Sequence, residues 1–166
     1  VLVPQTPNFN AKAGTWTFKN YANDRVKVSM RTGATPSAAT ITVQPYITGT
    51  IWSANDIASA LSVMSNIYNT NGITLSLKDT ITISESQYAT VSDNFTDSTT
   101  SALVSQGSKD TVNLFFIEDQ PSSETALYGV SAGLPGTMGI ASSWNGVINY
   151  LSAHAGGNTL NSQLLG

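Results

Sequence analysis

The sequence contains no cysteine. That removes disulfides, thiolate zinc sites, iron–sulfur clusters and cysteine nucleophiles together. It has one histidine, His154, so these residues cannot supply the usual three or four histidine and cysteine ligands of a zinc site. Charge is scarce as well. Asp, Glu, Lys and Arg make up 10% of the chain, against ~25% in an average domain. Ser, Thr, Asn and Gly provide the polar surface instead. A low-lysine surface of this kind is commoner in secreted bacterial proteins than in cytosolic enzymes, and it sets the expectation of a secreted or extracellular bacterial protein. No apolar run reaches the ~20 residues that span a membrane, so no membrane partner is expected. No signal peptide is visible. Val1 is not a natural start, and a cut or trimmed N-terminus is expected.

What is present is enough for a core. The 166 residues fit one domain, or one domain with a small appendage, and 40% of them are hydrophobic. The charge is unevenly spread. Residues 1–40 carry Lys12, Lys19, Arg25, Lys27 and Arg31 against Asp24, a net of +4. Residues 41–166 carry Lys78 and Lys109 against nine acids, a net of −7. Such a shift suggests two structural units. The cations alternate with apolar residues and form no dense patch, and the pI is about 4.8. A nucleic-acid partner is therefore not expected.

Residues 1–33 read as a β-hairpin: "GTWTFKN" and "RVKVSMRTG" alternate, and "NYAND" supplies the turn. Residues 34–39 read as a linker. "TITVQPYITG" is a strand. Residues 53–70 form the strongest helix pattern, with Ser53 and Asp56 as a near capping box and Asn71-Gly72 at its end. Ile57, Ala60, Leu61, Met64, Ile67 and Tyr68 share one face of it. Ile73, Leu75 and Leu77, then Ile81 and Ile83, alternate as a strand or a strand pair. "TTSALVSQG" suggests a short helix. "TVNLFFIED" is a continuous apolar run, as in a strand buried on both faces. Gly129 to Ser143 reads as a glycine-rich loop, Val147 to Leu151 as a strand, and Asn158 as the cap of a helix just starting. The order predicts an α+β fold, with a mixed sheet and helices packed on it.

Few residues offer chemistry by pattern. A Ser-His-Asp arrangement would have to use His154, but a lone histidine after a strand reads first as a surface or turn residue. Glu118 and Asp119 end the buried strand. As neighbours they point to opposite faces and could not flank one bond. They and Glu124 read as solvated loop carboxylates or a calcium contact. "SDNFTD" reads as a polar turn, since its spacing misses the EF-hand pattern. The loop "GVSAGLPGTMGIASS" is partly apolar, which suits reception of an extended peptide by strand addition.

In order, "VNLFFIED", "GVSAGLPGTMGI", "NGVINYL" and "NTLNSQLLG" resemble the catalytic domain of metzincin-type zinc metallopeptidases, nearest the secreted bacterial, pappalysin-like branch. The resemblance covers Thr40 to Gly166, with the helix at residues 53–70 as the family's backing helix. It implies a strand, a Gly/Pro-containing loop, an edge strand, a further strand, and then a helix carrying H-E-x-x-H. That motif puts two histidines on one helix face with the glutamate as general base. It is absent from this sequence, and the resemblance places it just after Gly166.

Residues 39–166 are thus expected to be the N-terminal portion of a catalytic domain, inactive as it stands. Residues 1–38 are expected to be an appendage, similar to the last strands of a β-sandwich module. No catalytic or metal residue is carried over. The edge strand that pairs with substrate maps to residues 136–141, making Leu134, Gly136, Thr137, Met138, Gly139 and Ile140 the substrate-binding candidates. The implied cofactor is zinc in the longer protein and none in this chain, with calcium left open. The implied partner is a peptide or protein substrate. A homodimer or a retained C-terminal fragment would cover the face such a fragment exposes. The alternative is a non-catalytic extracellular binding or adhesion module.

Overall fold

The computed structural model describes residues 38–131, 146–156 and 159–160, together with Gly14, Thr15, Thr17, Lys19 and Tyr21. The chain divides into two units, Val1–Ser37 and Ala38–Gly166. Of the hairpin expected in residues 1–33, only Gly14, Thr15, Thr17, Lys19 and Tyr21 are described and none of them is assigned to a strand; the rest lies outside the described residues, and the elements that follow belong to the second unit.

Strand β1 (Ala39–Thr48) runs into helix α1 (Ala54–Asn69), which returns the chain to β2 (Ile73–Leu77) and β3 (Ile81–Ile83). A 3-10 turn at Ser86–Tyr88 and helix α2 (Ser98–Val104) follow, then β4 (Val112–Ile117), β5 (Gly129–Ser131) and β6 (Val147–Tyr150). A four-residue helix α3 (Leu151–His154) closes this run. The sheet order is β2-β1-β4-β6-β5, with β3 beside β2 along the same edge of β1. All pairings are parallel except β5 with β6, which is antiparallel. The sheet is mixed and the fold α+β, as the element order predicts.

Alternation along the central strands makes two cores, one on each face. Leu114 and Phe116 of β4 join Val43 and Ile47 of β1 with Ile57, Ala60 and Leu61 of α1. Phe115 and Ile117 join Tyr46, Leu103 and Val104 of α2, Ile148 and Tyr150. Tyr46 stacks on Phe115 at 4.6 Å between ring centroids. The continuous apolar run of β4 is therefore buried on both faces. The apolar stripe of α1 is covered only in part, because Ile67 and Tyr68 in its last turn are 50% and 36% exposed.

Helix α1 starts where Ser53 donates both its N–H and its hydroxyl to Asp56 Oδ2, at 2.6 and 2.7 Å. Those bonds hold the Asp56 carboxyl below its ordinary value. Asp97 caps α2, accepting from the N–H groups of Thr99 and Thr100. "SDNFTD" is thus a polar turn that ends in a helix cap: Asn94 Oδ1 receives the N–H and hydroxyl of Thr96.

The β2–β3 edge is interrupted for a local reason. Val43 lies opposite Leu77 and Tyr46 opposite Ile81, so Gln44 and Pro45 face three residues, Lys78, Asp79 and Thr80. Proline has no N–H for the ladder. The buried Gln44 side chain takes over, donating to the carbonyls of Asp79 at 2.8 Å and Pro45 at 3.1 Å.

Two expectations are corrected at the C-terminal end. The strand stops at Tyr150, not Leu151, and turns into α3. Residues 159–160, expected in a helix capped by Asn158, form instead the two-residue strand β8 (Thr159–Leu160), antiparallel to β7 (Ala155–Gly156). Pairing with a segment only two residues away satisfies their backbone groups before a helix can begin. Residues 161–166 lie outside the described residues.

Candidate functional site

Open α/β sheets present their chemistry beyond the carboxyl ends of the strands. In this sheet those ends carry Glu118 and Asp119 after β4, and Ser152 and His154 after β6. The parallel pairing of β4 with β6 continues one step further, as Ser152 N–H donates to the Glu118 carbonyl at 3.1 Å. This brings Ser152 Oγ to 2.7 Å from Asp119 Oδ1, which also receives the N–H of Gln120.

The two adjacent carboxylates diverge, as strand geometry requires. Glu118 turns toward the β1–α1 connection, where its Oε2 accepts the N–H of Thr50 at 2.7 Å and of Ile51 at 3.2 Å. Gly49, at φ +81°, leaves room for it: a Cβ there would stand 1.9 Å from that oxygen. Glu118 is a half-buried loop clamp. Glu124 is another. It accepts from the Ser92 hydroxyl at 2.5 Å, Asp93 N–H at 3.1 Å and Gln120 Nε2 at 2.9 Å, while Gln120 Oε1 receives Leu127 N–H. These donors hold the Glu124 carboxyl below its ordinary value, the Ser92 hydroxyl most strongly. Both carboxylates remain partly exposed loop residues, as expected, and also tie their loops together. The unpaired N–H groups of nearby turns need acceptors, and these side chains provide them.

Between the loop 119–127 and the end of β6 opens a cleft of about 350 Å3, bordered by Asp119, Gln120, Glu124, Leu127, Tyr150 and Ser152. The Tyr150 hydroxyl beneath it is buried without a partner among the described residues. Burial, and then the charges of Asp93 and Glu124, push its ionisation well above the ordinary tyrosine range, so it stays neutral. A hollow of about 540 Å3 lies at the opposite edge, over the interruption at Gln44. Only Lys78 and Asp79 among its lining residues are ionisable. It follows from the broken ladder rather than from a gathering of reactive groups.

The expectation for His154 is also corrected. It is 4% exposed, hence a buried residue and not a surface turn. Leu151 and His154 turn inward within α3, and the ring lies 5.1 Å from that of Tyr128. Its Nε2 is 3.0 Å from the Tyr128 carbonyl, and its Nδ1 has no partner among the described residues. No serine or carboxylate among the described residues bonds to it, so no Ser-His-Asp arrangement forms there. The stretch Gly129-Val130-Ser131-Ala132-Gly133 spells G-x-S-x-G; Ser131 ends the antiparallel edge strand β5, and the residues that would form an elbow's turn, from Ala132 onward, lie outside the described residues.

Edge strand β5 is the feature that sequence reasoning missed. It occupies Gly129–Ser131, the start of the stretch read as a loop. Gly129 was the available signal. A Cβ there would come within 2.6 Å of the Ile148 carbonyl, so only glycine lets this strand lie against β6. The substrate-binding candidates Leu134, Gly136, Thr137, Met138, Gly139 and Ile140 lie outside the described residues. Among the described residues no three His, Cys, Asp or Glu side chains gather to hold a metal ion. His154, the sole histidine, is committed to Tyr128, so the described residues do not fit a zinc ion. No described helix is long and apolar enough to cross a membrane. No protein-family model, no curated protein and no solved structure matches this chain.

Proposed function

We propose that this chain is the substrate-side portion of a metzincin-type, secreted zinc endopeptidase domain. One observation carries the reading: a short antiparallel strand, β5, at the edge of an otherwise parallel sheet, following β4 and preceding β6. The sequence resemblance likewise puts an edge strand between β4 and β6, but it maps that strand to residues 136–141, after the Gly/Pro-containing loop, whereas β5 lies ahead of that loop. The backing helix α1 on β1 and β2 supports it as well. Among the described residues, the outer backbone of β5 has no neighbour in the sheet order. An extended peptide can add there as a further strand, its main chain supplying affinity and its side chains specificity. Gly129 keeps β5 close to β6 so that the edge is firm when a peptide arrives. A bound zinc ion would supply an activated water for peptide hydrolysis. The described residues do not form its site, and the reading needs H-E-x-x-H on a C-terminal continuation.

The test is to read the coding sequence past Gly166 and to express the chain with that continuation. H-E-x-x-H is expected within about ten codons. The extended protein should bind zinc and cleave casein in a chelator-sensitive way, while residues 1–166 alone should not. A stop codon directly after Gly166 would sink the reading and leave the alternative, a peptide-binding module using the same edge.

A further inference from the structure

The carbonyl of Tyr128, the residue before β5, accepts two hydrogen bonds. One comes from Tyr150 N–H at 3.1 Å and the other from His154 Nε2 at 3.0 Å. A carbonyl cannot donate, so the imidazole proton sits on Nε2 and Nδ1 keeps a bare lone pair. That lone pair is buried and unmet among the described residues. Protonating it would create a charged donor with nothing to receive it, which costs far more than an idle acceptor. Burial draws the imidazole below its ordinary value, and the Tyr128 carbonyl opposes this only in part. The ionisable groups nearby are Tyr128 itself and, on the adjoining end of β4, Glu118 and Asp119. Glu118 is engaged with Thr50 and Ile51, and Asp119 with Ser152 and Gln120. Neither carboxylate helps to hold a proton on His154.

We propose that His154 is a pH-sensitive clasp on the β5 edge. The neutral ring ties Tyr128, and through it the start of β5, to the turn after β6. Protonation frees that edge while the rest of the sheet stays paired. The closed clasp binds a proton more weakly than the open one. Its contribution is therefore complete above the ordinary histidine value near 6.5 and is lost as pH falls through that value toward the lower closed-state one. The clasp itself does not depend on the peptidase reading. Only its consequence rests on that reading: under it, acid would loosen the edge offered to substrate.

Amide hydrogen exchange on the 166-residue chain, corrected for the intrinsic pH dependence of exchange, tests this directly. Protection of Tyr150 and the β5 amides should fall several-fold between about pH 7.5 and about pH 5, with β1 and β4 unchanged. His154→Gln keeps a donor for Tyr128 but cannot titrate, so its β5 protection should be flat across the same range. The proposal is overturned if wild-type β5 protection stays constant, if the whole sheet loosens together, or if His154→Gln retains the pH dependence. None of these outcomes depends on what the coding sequence holds beyond Gly166.

Discussion

The two edges of the sheet depart from a regular ladder in different ways and are repaired by the same device. At the β2–β3 edge, Pro45 removes a donor and the Gln44 amide bonds to the Asp79 carbonyl at 2.8 Å. At the β5 edge, the chain reverses direction and the His154 imidazole bonds to the Tyr128 carbonyl at 3.0 Å. In both, a buried side chain donates to a backbone oxygen that the ladder does not fully satisfy. The difference is that an amide does not titrate near neutral pH and an imidazole does. One edge is fixed across the physiological range, and the other answers to acid. The fixed edge is also the one without gathered reactive groups. The responsive one borders the cleft and carries the edge strand β5.

Removing what the edges share should have the largest effect. Phe115 is fully buried at the sheet centre. Phe115→Ala should cost about 3–5 kcal/mol by chemical denaturation, with both edges lost in one transition. Separate transitions would show that the edges do not depend on a common core. Next comes Gly129→Ala, whose new methyl meets the Ile148 carbonyl. A cost of up to about 3 kcal/mol is expected, with exchange quickening in β5 and not in β2 or β3. Equal quickening at both edges would erase the distinction between them. Gln44→Leu leaves the Asp79 carbonyl without its donor and should cost about 1–2 kcal/mol. That loss should be the same at neutral and mildly acidic pH, and a pH-dependent loss would contradict the assignment of the fixed edge. Tyr150→Phe should be the smallest change. It removes a buried hydroxyl that has no partner among the described residues, so a gain within about 1 kcal/mol is expected. A clear loss in denaturation midpoint would mean that the hydroxyl is bonded after all.

The body of the fold was legible because it is written in periodicity. β1, α1 and the successive strands β2 and β3 show alternation or helical spacing, and β4 shows the unbroken apolar run of a strand covered on both faces. The edges were not legible, for physical reasons. β5 is three residues long and starts with a glycine whose value lies in closeness to Ile148, a partner known only after folding. Its antiparallel sense leaves no mark on the pattern of one short strand. The site residues were harder still. Glu124 is defined by Ser92, 32 positions away, and the sequence presents it as one acid in a polar loop. His154 looks like a lone polar residue near a turn, because nothing in its neighbours announces that α3 will fold it inward. The divergence of Glu118 and Asp119, by contrast, followed from strand geometry alone.

The Glu118 clamp also bears on ligands. The N–H groups of Thr50 and Ile51, just beyond β1, are the kind of backbone donors with which other open sheets receive phosphate. In this protein the seat is taken by a tethered anion of its own. A phosphorylated metabolite arriving there would have to displace a carboxylate and bear its repulsion. The seat beyond β1 is thus filled by the protein's own carboxylate, whereas at the β5 edge the backbone has no further neighbour in the sheet order among the described residues.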